Sequence, residues 1–191
     1  MLVANVAPTP LSLSRANIWV VAMPSAISVA VLPNAPHARE MATKAHSSGH
    51  QVLIHLPTFP RYALEARLRG CQVISVQGEV ATQFDAERYE RALQKDDISV
   101  AFICTPNNPT GAIMEKEDLE AIAEVVKEHD LFVITDEIYA ELTYGKKHVS
   151  IASLPGMYER CVVLNGFSKA FAMTGWRMGI AAGPKDVIFH M

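Results

Sequence analysis

From about residue 39 onward, short apolar runs alternate with segments whose apolar positions recur every three or four residues. The runs at 52–56, 73–76, 99–105, 131–135, 161–164 and 178–182 are near-continuous, and all but 73–76 have Gly, Pro, Asn or a charged residue on at least one side. Runs this short and this apolar predict strands buried on both faces of a sheet. The clearest helix is 116–128, where Leu119, Ile122, Ala123 and Val126 fall on one face and charges on the others. A shorter helix is predicted over 61–69, stopped by Gly70. Asp85 can cap a third that runs to about Leu93. Residues 39–47 read as a helix end, with Ser48-Gly49-His50 as its turn. The breaker-rich stretches 57–60 and 106–111 read as loops, and 138–143 fits neither period. Strands alternating with helices predict an α/β fold, a mostly parallel sheet joined by right-handed crossovers.

Residues 1–38 break this rhythm. They hold no Asp, Glu or Gly, and one cation, Arg15. Their apolar part, 17–32, is interrupted by Pro24, Ser25 and Ser28 and is short for a membrane span. They read as a divergent, unassigned leader, with an organelle transit peptide or a misread start as alternatives. The expected division is therefore a leader, 1–38, and an α/β unit, 39–191.

Composition narrows the function. The 191 residues suffice for one domain with a real core, and 50% are hydrophobic. A net charge of −3 with no basic stripe argues against nucleic acid, and no membrane partner is expected. Cys71, Cys104 and Cys161 each fall in or beside a predicted strand. They read as buried small hydrophobes in a reducing, cytoplasmic setting. No His/Cys spacing matches a zinc site.

The candidate chemistry lies just past the predicted strands. Phe59 follows the first; Asn107 and Asn108 the third; Asp136 and Tyr139 the fourth; Ser168 and Lys169 the fifth. In a parallel sheet these share one edge, where α/β sheets put their ligands. Each has a bland reading: a core aromatic, turn-forming asparagines, a capping aspartate, a solvated lysine. Their joint occurrence is what carries weight. Small residues surround Lys169 and would let a flat ligand approach the backbone. Arg177, further along, offers a planar fork suited to a phosphate.

Three motifs then resemble those of class I aminotransferases, the fold-type I enzymes that use pyridoxal 5′-phosphate (PLP). They are Asn108-Pro109-Thr110-Gly111, Asp136-x-x-Tyr139, and the string from Asn165 through Lys169 and Arg177 to Gly179. The resemblance covers roughly 51–185 and implies the central part of the large domain of such an enzyme, incomplete at both ends. It implies that Lys169 forms the Schiff base and shuttles a proton, and that Asp136 pairs with the pyridine nitrogen. It implies that Asn108 and Tyr139 bond the ring oxygen, that Arg177 holds the phosphate, and that Phe59 stacks on the ring. Ser168 is a further phosphate candidate. The implied reaction moves an amino group between an amino acid and a 2-oxo acid, in a cytoplasmic homodimer. A PLP lyase or synthase on the same scaffold, or an inactive aminotransferase-like fragment, would carry the same motifs.

The chemistry accounts for the residue types. An amine must lose its proton to attack an aldehyde. A protonated pyridine nitrogen needs a desolvated carboxylate beside it. The sequence also departs from the family's pattern. No Gly/Ser/Thr phosphate loop is found upstream of 52, and the N-terminal arm and partner-subunit tyrosine have no match. Gly166 stands where many relatives have a phosphate-binding Ser, and the small C-terminal domain is not represented. Low or no activity of this chain alone is the expectation.

Overall fold

A computed structural model describes residues 17–22, 51–68, 70–77, 88, 91–92 and 98–189. Among these residues seven strands form one sheet: β1 (Asn17–Ala22), β2 (Gln51–Leu56), β3 (Gln72–Gln77), β4 (Ile98–Cys104), β5 (Phe132–Asp136), β6 (Cys161–Gly166) and β7 (Met178–Gly183). Their order across the sheet is β1-β7-β6-β5-β4-β2-β3. The strands from β2 to β6 pair in parallel, as the alternation predicts. β7 does not. It runs antiparallel to β6, and β1 closes the sheet antiparallel to β7. The reason lies in the link from Gly166 to Met178. It holds only turns and the 3-10 segment Thr174–Trp176, whereas a parallel return needs a crossover of about a dozen residues or more, usually a helix.

Both faces of the sheet are covered, which explains the near-continuous apolar strands. Helix α2 (Lys116–Glu128) presents Leu119, Ile122, Ala123 and Val126 to one face, where they join Leu53, Ile103, Val133 and Met157. Helix α1 (Arg61–Leu68) and helix α3 (Lys185–Phe189) cover the other. There Tyr62, Ala66, Val187 and Ile188 pack with Val52, Ile54, Phe102, Ile134 and Val162. The period of two sorts each strand between the faces: Leu53 goes one way, Val52 and Ile54 the other. The cysteines are free thiols, all three buried.

α2 matches its predicted limits. Asp118 in its first turn accepts from the Glu115 N–H at 3.1 Å, satisfying a donor that the helix leaves unpaired. At its other end Asp130 takes a left-handed φ of 52°, and the Leu131 N–H returns to the Val126 carbonyl at 2.9 Å. The ambiguous stretch 138–143 forms turns. Strand β1 lies inside the stretch read as a leader. The helix end expected at 39–47, its turn, and most of the helix expected over 85–93 lie outside the described residues.

Candidate active site

Strand direction brings the candidate residues to one edge. β4, β5 and β6 end together, with Cys104 opposite Asp136 and Asp136 opposite Leu164. The loops after these strands, and the loop after β2, emerge on the same side. Because β7 runs back from that edge, Arg177 joins the group, with Gly166 opposite Gly179 marking the corner. A parallel β7 would have started at the far end of the sheet.

Asp136 is the last residue of β5, and the period of two turns it toward the α1 face. Its Oδ2 accepts from the Tyr62 hydroxyl at 2.7 Å, and its Oδ1 from the Ile138 N–H at 3.0 Å. Loss of water around the carboxyl raises its pKa. The two hydrogen bonds oppose that shift and the charge of Glu137 adds to it. Among the described residues no cation contacts Asp136. Glu137, one position on, points to the other face. There it accepts from Thr135 Oγ1 at 3.2 Å, Ser150 Oγ at 2.8 Å and His148 Nε2 at 2.9 Å. Of two adjacent carboxylates, one is thus tied into a buried polar cluster and the other is held at the edge.

The two asparagines also divide. The Asn107 side chain builds its loop: Nδ2 donates to the Pro57 carbonyl at 3.0 Å, and Oδ1 accepts from Thr110 N and Oγ1. The Asn108 side chain makes no hydrogen bond among the described residues. The same holds for Ser168, which lies half-buried in the turn after β6. Lys169 is exposed, and its ammonium lies 5.4 Å from the centre of the Tyr139 ring, within cation–π range. Arg177 is exposed, with a left-handed backbone at φ 53°, ψ 40°. Its Nη1 donates to the Thr174 carbonyl at 3.2 Å. A non-glycine held there costs on the order of 1 kcal/mol or more, a strain often stored at functional sites. Phe59 packs edge-on against Tyr62, ring centres 5.7 Å apart. Lys169 and Tyr139 are therefore in direct contact, and Tyr62 bridges Phe59 to Asp136. Asn108, Ser168 and Arg177 share the edge, and among the described residues their side chains make no hydrogen bond to any of these.

Tyr62 is the residue that sequence reading passes over. It is 1% exposed and lies parallel to Phe102, ring centres 5.5 Å apart. Burial, then the charge of Asp136, raises its pKa far above a tyrosine's ordinary value. A signal existed: in a helix of eight residues, three of them charged, Tyr62 shares a face with Ala66, and a buried tyrosine needs a partner for its hydroxyl.

These groups fit PLP. A dehydrated carboxylate that no cation contacts among the described residues suits a protonated ring nitrogen. Asn108 and Tyr139 can donate to a ring oxygen, Arg177 can hold an anion, and the Lys169 amine is open to the edge. Among the described residues no group of three or more His, Cys, Asp or Glu is placed to hold a metal, and no helix is long and apolar enough to cross a membrane.

Similarity to known proteins agrees with the geometry. The family described as aminotransferase class I and II matches residues 23–191. An aspartate aminotransferase of Pyrococcus abyssi is 42% identical over 166 residues, covering 85% of this chain and 43% of that protein. An aromatic-amino-acid aminotransferase of Thermococcus litoralis is 44% identical over 147 residues, 74% of this chain and 37% of its own length. The crystal structure of an aromatic aminotransferase from Pyrococcus horikoshii superposes with a TM-score of 0.74 at 38% identity, over 91% of this chain and 44% of that one. The chain thus spans about two fifths of the length of these relatives. With motifs, sheet topology and sequence in agreement, this chain belongs to the class I and II aminotransferases.

Proposed function

We propose that this chain supplies the cofactor-binding sheet edge of a PLP-dependent aminotransferase that moves an amino group between an amino acid and a 2-oxo acid. The observation that carries the reading is the Asp136 carboxylate, dehydrated, fixed by two donors and contacted by no cation among the described residues. PLP, when bound, supplies an aldehyde that takes up an amine and a ring that withdraws electrons from the substrate's Cα.

The chain's own residues do the rest. Asp136 holds a positive charge at the ring nitrogen, and an Asn there would keep a hydrogen bond but lose the charge. Lys169 Nζ holds the cofactor and then carries the proton released at the substrate's Cα. Positioned proton transfer of this kind is worth roughly 10²–10⁴ in rate. Asn108 and Tyr139 donate to the ring oxygen, and Phe59 packs on the ring. Arg177, with Ser168 as a weaker partner, neutralises the phosphate, so that binding energy is spent on aim. Residues 39–191 are assigned to the large domain of the enzyme. A cytoplasmic location and a homodimer go with the reading, as does a pair of small-molecule substrates.

The test is spectral. PLP added to the chain should give a yellow band, and borohydride should fix the cofactor to Lys169, read as a mass increase on its peptide. An amino acid should then bleach the band and a 2-oxo acid restore it. A chain that gives no band, or fixes cofactor elsewhere, refutes the reading.

A further inference from the structure

We propose that Tyr62 is a positioning residue of this site: its hydroxyl aims the Asp136 carboxylate, and its ring ties that carboxylate to Phe59. The inference rests on the assignment of Asp136 to the cofactor's ring nitrogen and adds to it a residue from a different element.

The geometry is over-determined for a core aromatic. Tyr62 could fill its place as a phenylalanine, since it lies parallel to Phe102 and meets Phe59 edge-on. Yet its hydroxyl reaches Asp136 across 74 positions of sequence, at 2.7 Å. A short hydrogen bond from a neutral donor to a carboxylate is the stronger, charge-assisted kind. It also sets direction. With Oδ1 held by the Ile138 N–H and Oδ2 by Tyr62, rotation of the carboxylate about χ2 breaks both bonds. Tyr62 is itself immobile, 1% exposed between Phe102 and Phe59. One side chain therefore locks the charged group and touches the aromatic assigned to the ring's face.

The surroundings make the bond matter. Among the described residues, the titratable groups that bear on Asp136 are Tyr62 from α1, Cys104 at the end of β4 and Glu137 next in the chain. None is a cation. Burial and Glu137 push the carboxyl toward its neutral form, and Tyr62 and the Ile138 N–H push back. Without the phenol, Asp136 would be less ionised and free to turn.

Tyr62→Phe removes one oxygen and keeps the ring. In the cofactor-free chain, the ionisation midpoint of Asp136, followed by carboxyl 13C NMR, should rise by about one pH unit, a tenfold change in its ionisation constant. PLP affinity at neutral pH, read from the absorbance band, should fall about tenfold. In an Asp136→Asn background, Tyr62→Phe should change PLP affinity little, because the residue acts through the carboxylate. An unmoved Asp136 midpoint, or an equal loss of affinity when Tyr62→Phe is added to Asp136→Asn, overturns the inference. If Tyr62→Phe does not fold, the wild-type chain still decides: the Tyr62 Cζ resonance must shift with the Asp136 midpoint, and a flat Cζ trace overturns the inference. A wild-type chain that gives no band with PLP refutes the cofactor reading instead, and the NMR arm reports on Tyr62 regardless.

Discussion

The Lys169 ammonium lies 5.4 Å from the centre of the Tyr139 ring, so the residue assigned to form the bond and the residue assigned to the ring oxygen are neighbours before any cofactor arrives. Tyr139 thus offers two separable things, a π face for a cation and a phenol. Lys169→Ala should abolish both the yellow band and borohydride fixation. Tyr139→Phe keeps the ring and loses only the donor. It should retain fixation at Lys169 while lowering PLP affinity about tenfold, the worth of one hydrogen bond to a charged group. Absorbance titration of the two variants separates the roles; normal affinity in Tyr139→Phe would remove the phenol from the site.

Asp136 makes a stability prediction opposite to the usual carboxylate. Its folded pKa is raised above the ordinary value of 3.8, chiefly by burial. The folded chain therefore holds this proton more tightly than the unfolded chain does. The contribution to stability is fully present below the ordinary value and is lost as pH rises through the folded one. At neutral pH the ionised group costs stability that a bound cation would recover. Asp136→Asn should accordingly raise Tm at neutral pH and do so much less in acid, while weakening PLP. For a domain of this size each kcal/mol is worth about 2–4 °C. Calorimetry across pH checks it, and a neutral-pH Tm that falls would contradict the burial argument.

Much of this was legible in the sequence, and the parts that were not share a cause. The strands after 51 and helix α2 lie close to their expected limits because apolar runs and a 3.6-residue period are local signals. The placement of Asp136, Asn108 and Lys169 at one edge followed from counting offsets past parallel strands. The reversal of β7 did not, since strand direction depends on what the link from Gly166 to Met178 can span. Nor did the division between Asn107 and Asn108, which rests on which side chain reaches the Pro57 carbonyl. Tyr62 is the sharpest case. Its burial was readable from α1, but its partner lies 74 residues away, and no local pattern names a contact that distant.

The thiols should be inert in the folded chain. Cys71, Cys104 and Cys161 are 7%, 4% and 1% exposed. Burial, then the charge of Glu137, pushes Cys161 up to about 12, and burial, then Asp136, raises Cys104. The thiolate is the reactive form, so access and ionisation both oppose modification. Ellman's reagent at mildly alkaline pH should titrate the described thiols only after denaturant is added. Rapid reaction of Cys104 without denaturant would mean that the Asp136 end of β4 and β5 opens in the native state.

Gly166 explains in space why the serine that many relatives are expected to have at this place cannot simply be restored. A Cβ there would sit 3.0 Å from the Met178 carbonyl oxygen and 3.1 Å from Ile138 Cδ1. The first neighbour is backbone of the antiparallel β7, held by its ladder to β6, so it yields poorly. Ile138 follows Asp136 by two positions and donates the N–H that fixes its carboxylate. Pressure at 166 is thus passed to the site. Gly166→Ser should destabilise the chain by about 1–3 kcal/mol, the usual range for overpacking. It should also loosen Asp136, seen as a higher ionisation midpoint, rather than gain a phosphate ligand. Gly175→Ser is the control, since a Cβ there meets nothing within 4 Å, and it should be near neutral. A Gly166→Ser chain that binds PLP more tightly with unchanged Tm would show that β7 yields, and that the glycine costs the site a phosphate donor.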